Sequence, residues 1–345
     1  MSSAAAPQQS ITLLYGLPGA GKSTYAHPPT DENTLVLSRD VIGGTIKELV
    51  PRVSKLLDKG KSVVLDNTHL TAESRAPFVA LAQAKGVPIH VIVIDTPLEI
   101  CQINVLRRMW ANHGDFFHCG KKGDPQAYAP VTLFSARKKA EPPALSEGFT
   151  LQCNARPEVA KATEGFTSIR SLPGPTPTWD PASYPYKALF LDIDGTLRAS
   201  EHLPYKFPTK PEEVAPLHDA AKMRAVLEHY RSEGWLLVGV SNQSGVAKGT
   251  LTAAEAEACF DATRDLFGLS ADQMPILYCP HRSAPPSCYC RKPQSGLLVE
   301  ACERYKINPC ASLMVGDMKT DETAAGRMGI SFLYTDKFWA KKLGK

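Results

Sequence analysis

The chain contains 345 residues, of which 43% are hydrophobic and 21% are charged. This composition excludes a mostly disordered chain, and the length, which exceeds what one hydrophobic core usually supports, predicts two domains. The net charge of +4 permits a phosphate-rich partner without requiring one.

Cysteine content and apolar runs indicate the compartment. The apolar runs are too short to span a membrane, and the first ten residues lack the pattern of a secretory signal. Nine cysteines, an odd number scattered apart from one cluster, favour reduced thiols and a metal site over a disulfide framework. We therefore expect no membrane partner, a reducing intracellular compartment (cytoplasm or nucleus), and a disordered N-terminus over residues 1–10.

A proline-rich stretch, residues 171–186, divides the chain. Its composition disfavours helices and central strands, so we predict an extended linker. On both sides short apolar strands alternate with helical segments, which predicts βαβ units and parallel sheets. The expected fold class is α/β, with a first domain over residues 11–170 and a second over residues 187–345.

The predicted elements follow in chain order. In the first half, strands are expected over residues 11–16, 35–40, 62–66 and 89–95, with a helix over 71–85. In the second half, strands are expected over residues 188–194, 235–242, 275–280 and 312–317, with helices over about 215–233 and 253–267. Ligands of such sheets bind at the carboxyl ends of the strands.

The first strand runs into the loop GLPGAGKS, which fits G-x-x-x-x-G-K-[ST]. In such a loop backbone N–H groups surround phosphate oxygens, Lys22 reaches the β- and γ-phosphates of ATP, and Ser23 binds Mg²⁺. A chance glycine-rich turn is the alternative, which the strand context disfavours. The predicted phosphate-binding residues are Gly16, Gly19, Gly21, Lys22, Ser23 and Thr24.

Polar side chains end the next two strands. Asp40 follows Arg39 after the second strand, where a carboxylate can accept a proton from an acceptor hydroxyl. Asp66, Asn67 and Thr68 follow the third strand. Helix or strand caps are the alternative for each residue taken singly.

Together these motifs resemble the kinase domain of polynucleotide kinase-phosphatases over roughly residues 11–150. The segments that carry the resemblance are GLPGAGKST, SRD, GKSVVLDNTH, AKGVPIHVIVID and FSARKKAEPPALSEGF. The resemblance implies that Asp40 is the general base for a 5′-hydroxyl and that Arg39 and residues 66–68 line the acceptor pocket. It also implies a lid that presents arginine to the donor phosphates.

The helix that contains Arg107 and Arg108 is where we expect this lid, because arginine binds phosphate bidentately. A solvated helix face is the alternative for either arginine. Arg137 is a second candidate on the nucleotide side. Residues 112–128 have no counterpart in the family and are interpreted as a substrate-contacting loop or a flexible insertion.

The second half opens with Asp192 and Asp194 at the end of an apolar strand, in the pattern D-x-D-G-T. The first carboxylate can attack phosphorus to form an aspartyl-phosphate, and the second can protonate the leaving oxygen and then activate water. We expect Mg²⁺ to lie between these carboxylates and the phosphate.

This pattern resembles the haloacid dehalogenase (HAD) superfamily, whose other elements follow in order. The resemblance implies that Ser241 donates a hydrogen bond to the phosphoryl group and that Lys292 neutralises transition-state charge. It further implies that Asp317 is an Mg²⁺ ligand supported by Asp321.

A cysteine- and histidine-rich segment precedes Lys292. Cys279, His281, Cys288 and Cys290 offer three thiolates and one imidazole, a set that suits a closed structural zinc site. Reduced thiols without metal are the alternative. With this segment, residues 187–333 are similar to zinc-containing histidinol-phosphate and heptose-bisphosphate phosphatases.

The two resemblances together imply an enzyme that heals nucleic-acid ends of DNA or RNA. It would phosphorylate 5′-hydroxyl ends with ATP and hydrolyse 3′-phosphate ends, using Mg²⁺ and a structural zinc. In eukaryotic members of the kinase family the phosphatase comes first and belongs to another HAD branch, which leaves the phosphatase substrate open. The alternatives are a kinase-phosphatase of small metabolites, such as sugar or nucleoside phosphates, and a binding protein with degenerate sites.

Overall fold

The computed structural model describes residues 9–26, 33–43, 45–114, 129–149, 169–173, 177–282 and 288–344. These residues form two compact units: the first contains the described residues of 1–105 and 132–173, and the second those of 106–114, 129–131 and 177–344. Most of the N-terminus expected to be disordered (residues 1–8) and most of the interpreted loop (residues 115–128) lie outside the described residues.

A sheet of five parallel strands in the order β2-β3-β1-β4-β5 organises the first unit. The strands are β1 (Ile11–Tyr15), β2 (Thr34–Ser38), β3 (Ser62–Asp66), β4 (Ile89–Asp95) and β5 (Ile169–Pro173). The helices are α1 (Lys22–Ala26), α2 (Arg39–Ile42), α3 (Ile46–Asp58), α4 (Ala72–Lys85), α5 (Leu98–His113) and α6 (Pro130–Lys139).

The first linker residues differ from the prediction. Ser171 pairs with Val93, and Pro173 pairs with Asp95, as the end of strand β5. Because β5 lies at the edge of the sheet, a proline there removes no hydrogen bond from the sheet interior. Helix α5 also differs from a simple division at residue 170, because its residues from Leu106 onward group with the second unit.

The second unit has its own sheet of five parallel strands in the order β10-β9-β6-β7-β8. The strands are β6 (Lys187–Leu191), β7 (Trp235–Asn242), β8 (Ile276–Cys279), β9 (Leu313–Gly316) and β10 (Ser331–Tyr334). The helices are α7 (Ala220–Ser232), α8 (Ser244–Lys248), α9 (Ala253–Asp265), α10 (Gly296–Tyr305), α11 (Lys319–Met328) and α12 (Thr335–Leu343).

The burial of the strands in both cores explains why their sequences are runs of apolar residues. Strand β6 is covered on both faces, so all four residues of Ala188–Leu191 are fully buried. In the first unit, Leu13 of β1 packs in one apolar cluster with Leu65 of β3 and Phe78 of α4. The predicted α/β fold class is confirmed. None of the described helices combines the length and the hydropathy that crossing a membrane requires.

Candidate active sites

The glycine-rich loop after β1 has the backbone that its sequence predicts. Gly19 has φ 78° and Gly21 has φ 90°, in the left-handed region that favours glycine. A Cβ atom on Gly19 would meet the carbonyl oxygen of Cys101 closer than any van der Waals contact allows. Asn104 Nδ2 donates a hydrogen bond to the Gly19 carbonyl at 2.8 Å, and Thr96 Oγ1 donates one to the Ala20 carbonyl at 2.7 Å. These two side chains hold the loop in shape.

The polar side chains of this loop suit a nucleotide with its metal. Lys22 Nζ donates hydrogen bonds to the carbonyls of Gly16 (3.1 Å) and Leu17 (2.8 Å), so the ammonium group lies at the mouth of the loop. Ser23 Oγ donates a hydrogen bond to Asp66 Oδ2 at 2.7 Å. A hydroxyl beside a carboxylate supplies the oxygen ligands that Mg²⁺ prefers. Asp66, expected in the acceptor pocket, thus contacts the phosphate-binding side through Ser23.

The ends of β2 and β3 meet beside the loop. The backbone N–H of Arg39 donates a hydrogen bond to Asn67 Oδ1 at 3.1 Å, and the Thr68 carbonyl accepts one from Gly16 at 3.3 Å. Asp40 lies in α2, directly after β2, and its side chain lies outside the described residues. Its role as the general base stays a prediction, as do the roles of Arg39, Asn67 and Thr68.

A buried arginine holds together the segments that follow β3 and α6. Arg75 has no exposed surface and forms a bidentate ion pair with Glu147, with both N–O distances at 2.7 Å. Its Nη1 also donates to the carbonyls of His69 (2.9 Å) and Glu141 (3.0 Å). Burial lowers the pKa of His69 to about 3, so this imidazole is neutral at physiological pH. The sequence did not single out Arg75 or Glu147.

The structure differs from the prediction of a lid arginine at position 107. Arg107 groups with the second unit, where its Nε donates to Glu303 at 2.9 Å and its Nη1 to the Thr178 carbonyl at 2.9 Å. Its Nη2 donates to the Tyr184 hydroxyl at 3.1 Å, and its guanidinium lies 4.3 Å from the centre of the Trp179 ring. These contacts use three of the five N–H donors of the guanidinium on partners in the second unit.

The other two candidate arginines stay predictions. Arg108 is half-buried in α5. Arg137 is exposed in α6, and its positive charge opposes the rise that burial causes in the pKa of Tyr15. Because Tyr15 ends β1 directly before the loop, Arg137 lies within electrostatic range of the phosphate-binding residues.

Three carboxylates and one lysine form the centre of the second site. Carboxylate oxygens of Asp192, Asp317 and Asp321 lie within 4.8 Å of one another. Lys292 Nζ contacts Asp192 Oδ1 at 2.5 Å and Asp321 Oδ1 at 2.7 Å. Three carboxylates outnumber the one ammonium group; Asp192 and Asp321 are buried and Asp317 is exposed, and oxygen ligands of this kind suit Mg²⁺. The donor set therefore fits the divalent cation.

The pKa values of the two carboxyl groups Asp192 and Asp317 are shifted mainly by burial. Burial raises the pKa of Asp192 to about 8, the carboxylates of Asp321 and Asp317 act in the same direction, and Lys292 opposes them. Burial likewise raises the pKa of Asp317 to about 6. Burial alone would lower the pKa of Lys292, but Asp192 and Asp321 raise it above its usual value. Lys292 therefore carries its positive charge beside the nucleophile.

Asp194 has two hydrogen-bond donors of its own. Its Oδ1 accepts a hydrogen bond from Arg198 Nε at 2.8 Å and its Oδ2 accepts one from Gln243 Nε2 at 2.7 Å. Its carboxylate is not one of the three grouped above, but its charge contributes to the raised pKa of Asp317, and its use as an Mg²⁺ ligand stays a prediction. Both oxygens face donors that orient them, which suits a general acid and base.

Two further contacts complete the site. Ser241 Oγ accepts a hydrogen bond from Gln243 Nε2 at 3.0 Å and is buried at the end of β7. Asn242 exchanges two hydrogen bonds with the backbone of Lys292, at 3.0 and 3.1 Å. Gln243 and Asn242 therefore position the predicted residues Ser241, Asp194 and Lys292. Both directly follow Ser241 in the sequence, yet the sequence pattern did not single them out.

The cysteine cluster is gathered as the spacing predicts. The ligand atoms of Cys279, His281, Cys288 and Cys290 lie within 4.8 Å of one another. Cys279 Sγ lies 3.6 Å from Cys288 Sγ, and His281 Nδ1 lies 3.2 Å from Cys290 Sγ. Zn–S bonds of about 2.3 Å in a tetrahedron place two sulfurs roughly 3.8 Å apart. The set fits zinc, whose presence stays a proposal.

Comparisons with known proteins match different families to the two halves of the chain. Residues 11–117 match a family described as AAA domain, and residues 289–337 match a HAD-hydrolase-like family. A probable D-glycero-D-manno-heptose-1,7-bisphosphate 7-phosphatase of Thermoplasma volcanium is 33% identical over 148 residues, which cover 42% of this chain and 96% of the relative. A D-glycero-beta-D-manno-heptose-1,7-bisphosphate 7-phosphatase of Haemophilus influenzae is 34% identical over 149 residues, covering 41% of this chain and 75% of that protein.

One solved structure, of a Pnkp1/Rnl/Hen1 complex, aligns over 97% of this chain and 98% of its own, at 16% identity and a TM-score of 0.33. The motif geometry, the family matches and the curated relatives define the enzyme class. The chain belongs to the HAD-like phosphatases through its second half, and its first half contains a P-loop kinase-like domain that matches the AAA family over residues 11–117.

Proposed function

We propose that this enzyme heals nucleic-acid ends, phosphorylating 5′-hydroxyl termini with ATP and hydrolysing 3′-phosphates. The observation that carries the proposal is the short connection that follows the first phosphatase motif. Between Arg198 and α7 stands a loop with a single 3₁₀ turn, Pro211–Glu213, instead of a cap domain. Such a site leaves room for a polymer end, and the kinase motifs resemble those of polynucleotide kinases.

The kinase residues have the following roles. Asp40 accepts the proton of the 5′-hydroxyl, whose oxygen attacks the γ-phosphorus of ATP while the bond to the ADP oxygen breaks. Lys22 binds the β- and γ-phosphates, and Ser23 with Asp66 would hold Mg²⁺. Asn104 keeps the loop in the conformation that receives the phosphates.

The phosphatase residues act in two steps. Asp192 Oδ attacks the phosphorus of the 3′-phosphate, the bond to O3′ breaks, and Asp194 gives its proton to O3′. Asp194 then takes a proton from water, whose oxygen attacks the phosphorus and releases inorganic phosphate and free Asp192. Lys292 and Ser241 bind the phosphoryl oxygens, and Asp192, Asp317 and Asp321 would hold Mg²⁺, which neutralises phosphate charge when bound.

The test uses one oligonucleotide that carries a 5′-hydroxyl and a 3′-phosphate, with ATP, Mg²⁺ and mass analysis of the products. We expect the wild type to add one phosphate at the 5′ end and to remove the 3′-phosphate. Asp40→Asn would lose only the first change and Asp192→Asn only the second. An oligonucleotide unchanged at both ends would overturn the proposal.

A kinase-phosphatase of small metabolites is the second candidate. The observation that favours it is the similarity of residues in the second unit to heptose-bisphosphate 7-phosphatases of bacteria and archaea. If the 5′ end of the oligonucleotide is phosphorylated but the 3′-phosphate survives, while a sugar bisphosphate is hydrolysed, this candidate holds for the phosphatase half.

A further inference from the structure

A loop closed at its base stands beside the phosphatase site. Residues 199–215, here called the rim loop, begin five residues after Asp194. Backbone hydrogen bonds from Ala199 to the Ala215 carbonyl (2.9 Å) and from Leu217 to the Leu197 carbonyl (3.1 Å) close its neck. The loop therefore leaves and re-enters the fold next to the catalytic strand end.

Two aromatic rings of the rim loop are stacked. The rings of Tyr205 and Phe207 have centroids 5.9 Å apart and an interplanar angle of 27°, an offset-stacked geometry. Lys206 between them has φ 58°, a left-handed conformation that turns the chain. The stack is thus built into the backbone of the loop.

Phe207 anchors the stack at the catalytic edge. It packs against the apolar core of the second unit, and a Cβ atom on Gly245 would lie 2.7 Å from its ring. Gly245 is two residues beyond Gln243, whose amide contacts both Asp194 and Ser241. The anchored ring therefore packs against the start of α8, two residues after the glutamine that contacts Asp194 and Ser241.

Tyr205 extends the stack into solvent. Tyr205 is 57% exposed, although it stacks on Phe207, which is half-buried. Met318, which follows the metal-ligand candidate Asp317, is 56% exposed at the same end of the sheet. Exposed apolar side chains around a polar centre are typical of a surface that receives an apolar group of the substrate.

We infer that Tyr205, supported by Phe207, is a stacking platform for the base of the nucleotide that carries the 3′-phosphate. This inference rests on the proposed function and names the residue that would bind the substrate base. Stacking on an aromatic side chain accepts any base, because every base has a π-face. The phosphoryl group would lie at Asp192 while the adjacent base covers the exposed face of Tyr205.

The experiment compares two 3′-phosphorylated oligonucleotides that differ only at the last nucleotide, which carries a base in one and an abasic sugar in the other. For Tyr205→Ala we expect KM to rise about tenfold with the base-bearing substrate, with kcat unchanged. With the abasic substrate the variant and the wild type would give equal KM values. Tyr205→Phe keeps the ring and would keep the wild-type KM.

Tyr186→Ala is the matched control, because Tyr186 is 52% exposed and precedes β6 at the opposite end of the same sheet. Glycerol 2-phosphate hydrolysis at wild-type rate would show that the variants are folded.

An equal KM for Tyr205→Ala and wild type on the base-bearing substrate would overturn the platform. An equal loss on both oligonucleotides would also overturn it, because the tyrosine would then contact sugar or backbone. If the wild type hydrolyses glycerol 2-phosphate but neither oligonucleotide, the proposed function fails first and the platform with it.

Discussion

The two active sites hold their charges in different ways. In the second unit Asp192 and Lys292 are both buried and contact each other directly. In the first unit Ser23 is exposed and Lys22 is half-buried, with its ammonium group on carbonyls of its own loop. One site is a buried charge network, and the other is a backbone cradle with polar side chains at its surface.

This difference teaches which substitutions each site tolerates. Removing one charge from a buried network leaves its partners without compensation and costs stability as well as activity. Removing a side chain from the surface of a backbone cradle costs activity, because the loop conformation depends on glycines and on hydrogen bonds to carbonyls. The following substitutions test that contrast.

The largest effect on activity is expected when either of two lysines, Lys292 or Lys22, is replaced. Lys292→Met would reduce phosphate-ester hydrolysis by on the order of 10²–10³-fold and destabilise the second unit by about 3–5 kcal/mol, because buried carboxylates lose their counter-charge. Lys22→Met would reduce kinase activity by a similar factor and leave the unfolding midpoint unchanged. Turnover assays measure the two activities, and thermal unfolding measures the stability of each variant. A Lys292→Met protein as stable as the wild type would contradict the contrast between the two sites.

Loss of the cysteine cluster is expected to come next. Cys290→Ser removes one of four ligands, so we expect the bound zinc, one ion per wild-type chain, to be lost and the thermal midpoint to fall. Elemental analysis of the purified protein measures the metal. Cys310→Ser, at an exposed cysteine outside the cluster, is the control. A metal-free wild type of full activity would contradict the zinc proposal.

Arg198 tests whether the orientation of Asp194 matters. Arg198 is fully buried and also contacts Thr263 Oγ1 at 3.0 Å. Arg198→Lys keeps the charge but loses the planar fork, so we expect kcat for hydrolysis to fall about 10²-fold while kinase activity is kept. Arg224→Lys, at an exposed pair with Glu228, would leave both activities unchanged. An unchanged kcat in Arg198→Lys would show that Gln243 alone orients Asp194.

The smallest effect is expected in the nucleotide loop. Thr96→Val removes the hydrogen bond to the Ala20 carbonyl, which costs about 1 kcal/mol. We expect the KM for ATP to rise roughly fivefold, with hydrolysis of phosphate esters unchanged. Thr132→Val, at an exposed threonine of α6, controls for the substitution itself. A loss of kinase activity as large as that of Lys22→Met would show that the loop conformation depends strongly on this one hydrogen bond.

Features set by local spacing could be predicted from the sequence. The loop of Gly19 and Gly21, the strand-end position of Asp192 and the gathering of the cysteine cluster all follow from residue types at fixed short separations. Even helix α4 begins where expected, because Thr71 and Ser74 form a capping box. Local chemistry determines these features before the chain folds.

Partners from distant segments could not be predicted. Asn104 lies 85 residues from Gly19, and Gln243 lies 49 residues from Asp194. No short pattern encodes such pairings, because they depend on which strands become neighbours. The contacts of Arg107 could not be predicted for a related reason: a helix that is apolar on several faces does not reveal from its sequence which partner each charged side chain meets.

The neck of the rim loop has a consequence for how this enzyme acquires new specificities. Because the hydrogen bonds at Ala199 and Leu217 close the segment at its base, its exposed residues, unlike Phe207 on the core, can be replaced, and the loop can be lengthened, while the catalytic strand end keeps its geometry. Doubling the length of a flexible loop costs only about 0.6 kcal/mol. Substrate range and catalytic chemistry can therefore evolve separately in this fold, the first by exchange of the loop and the second by retention of the carboxylates.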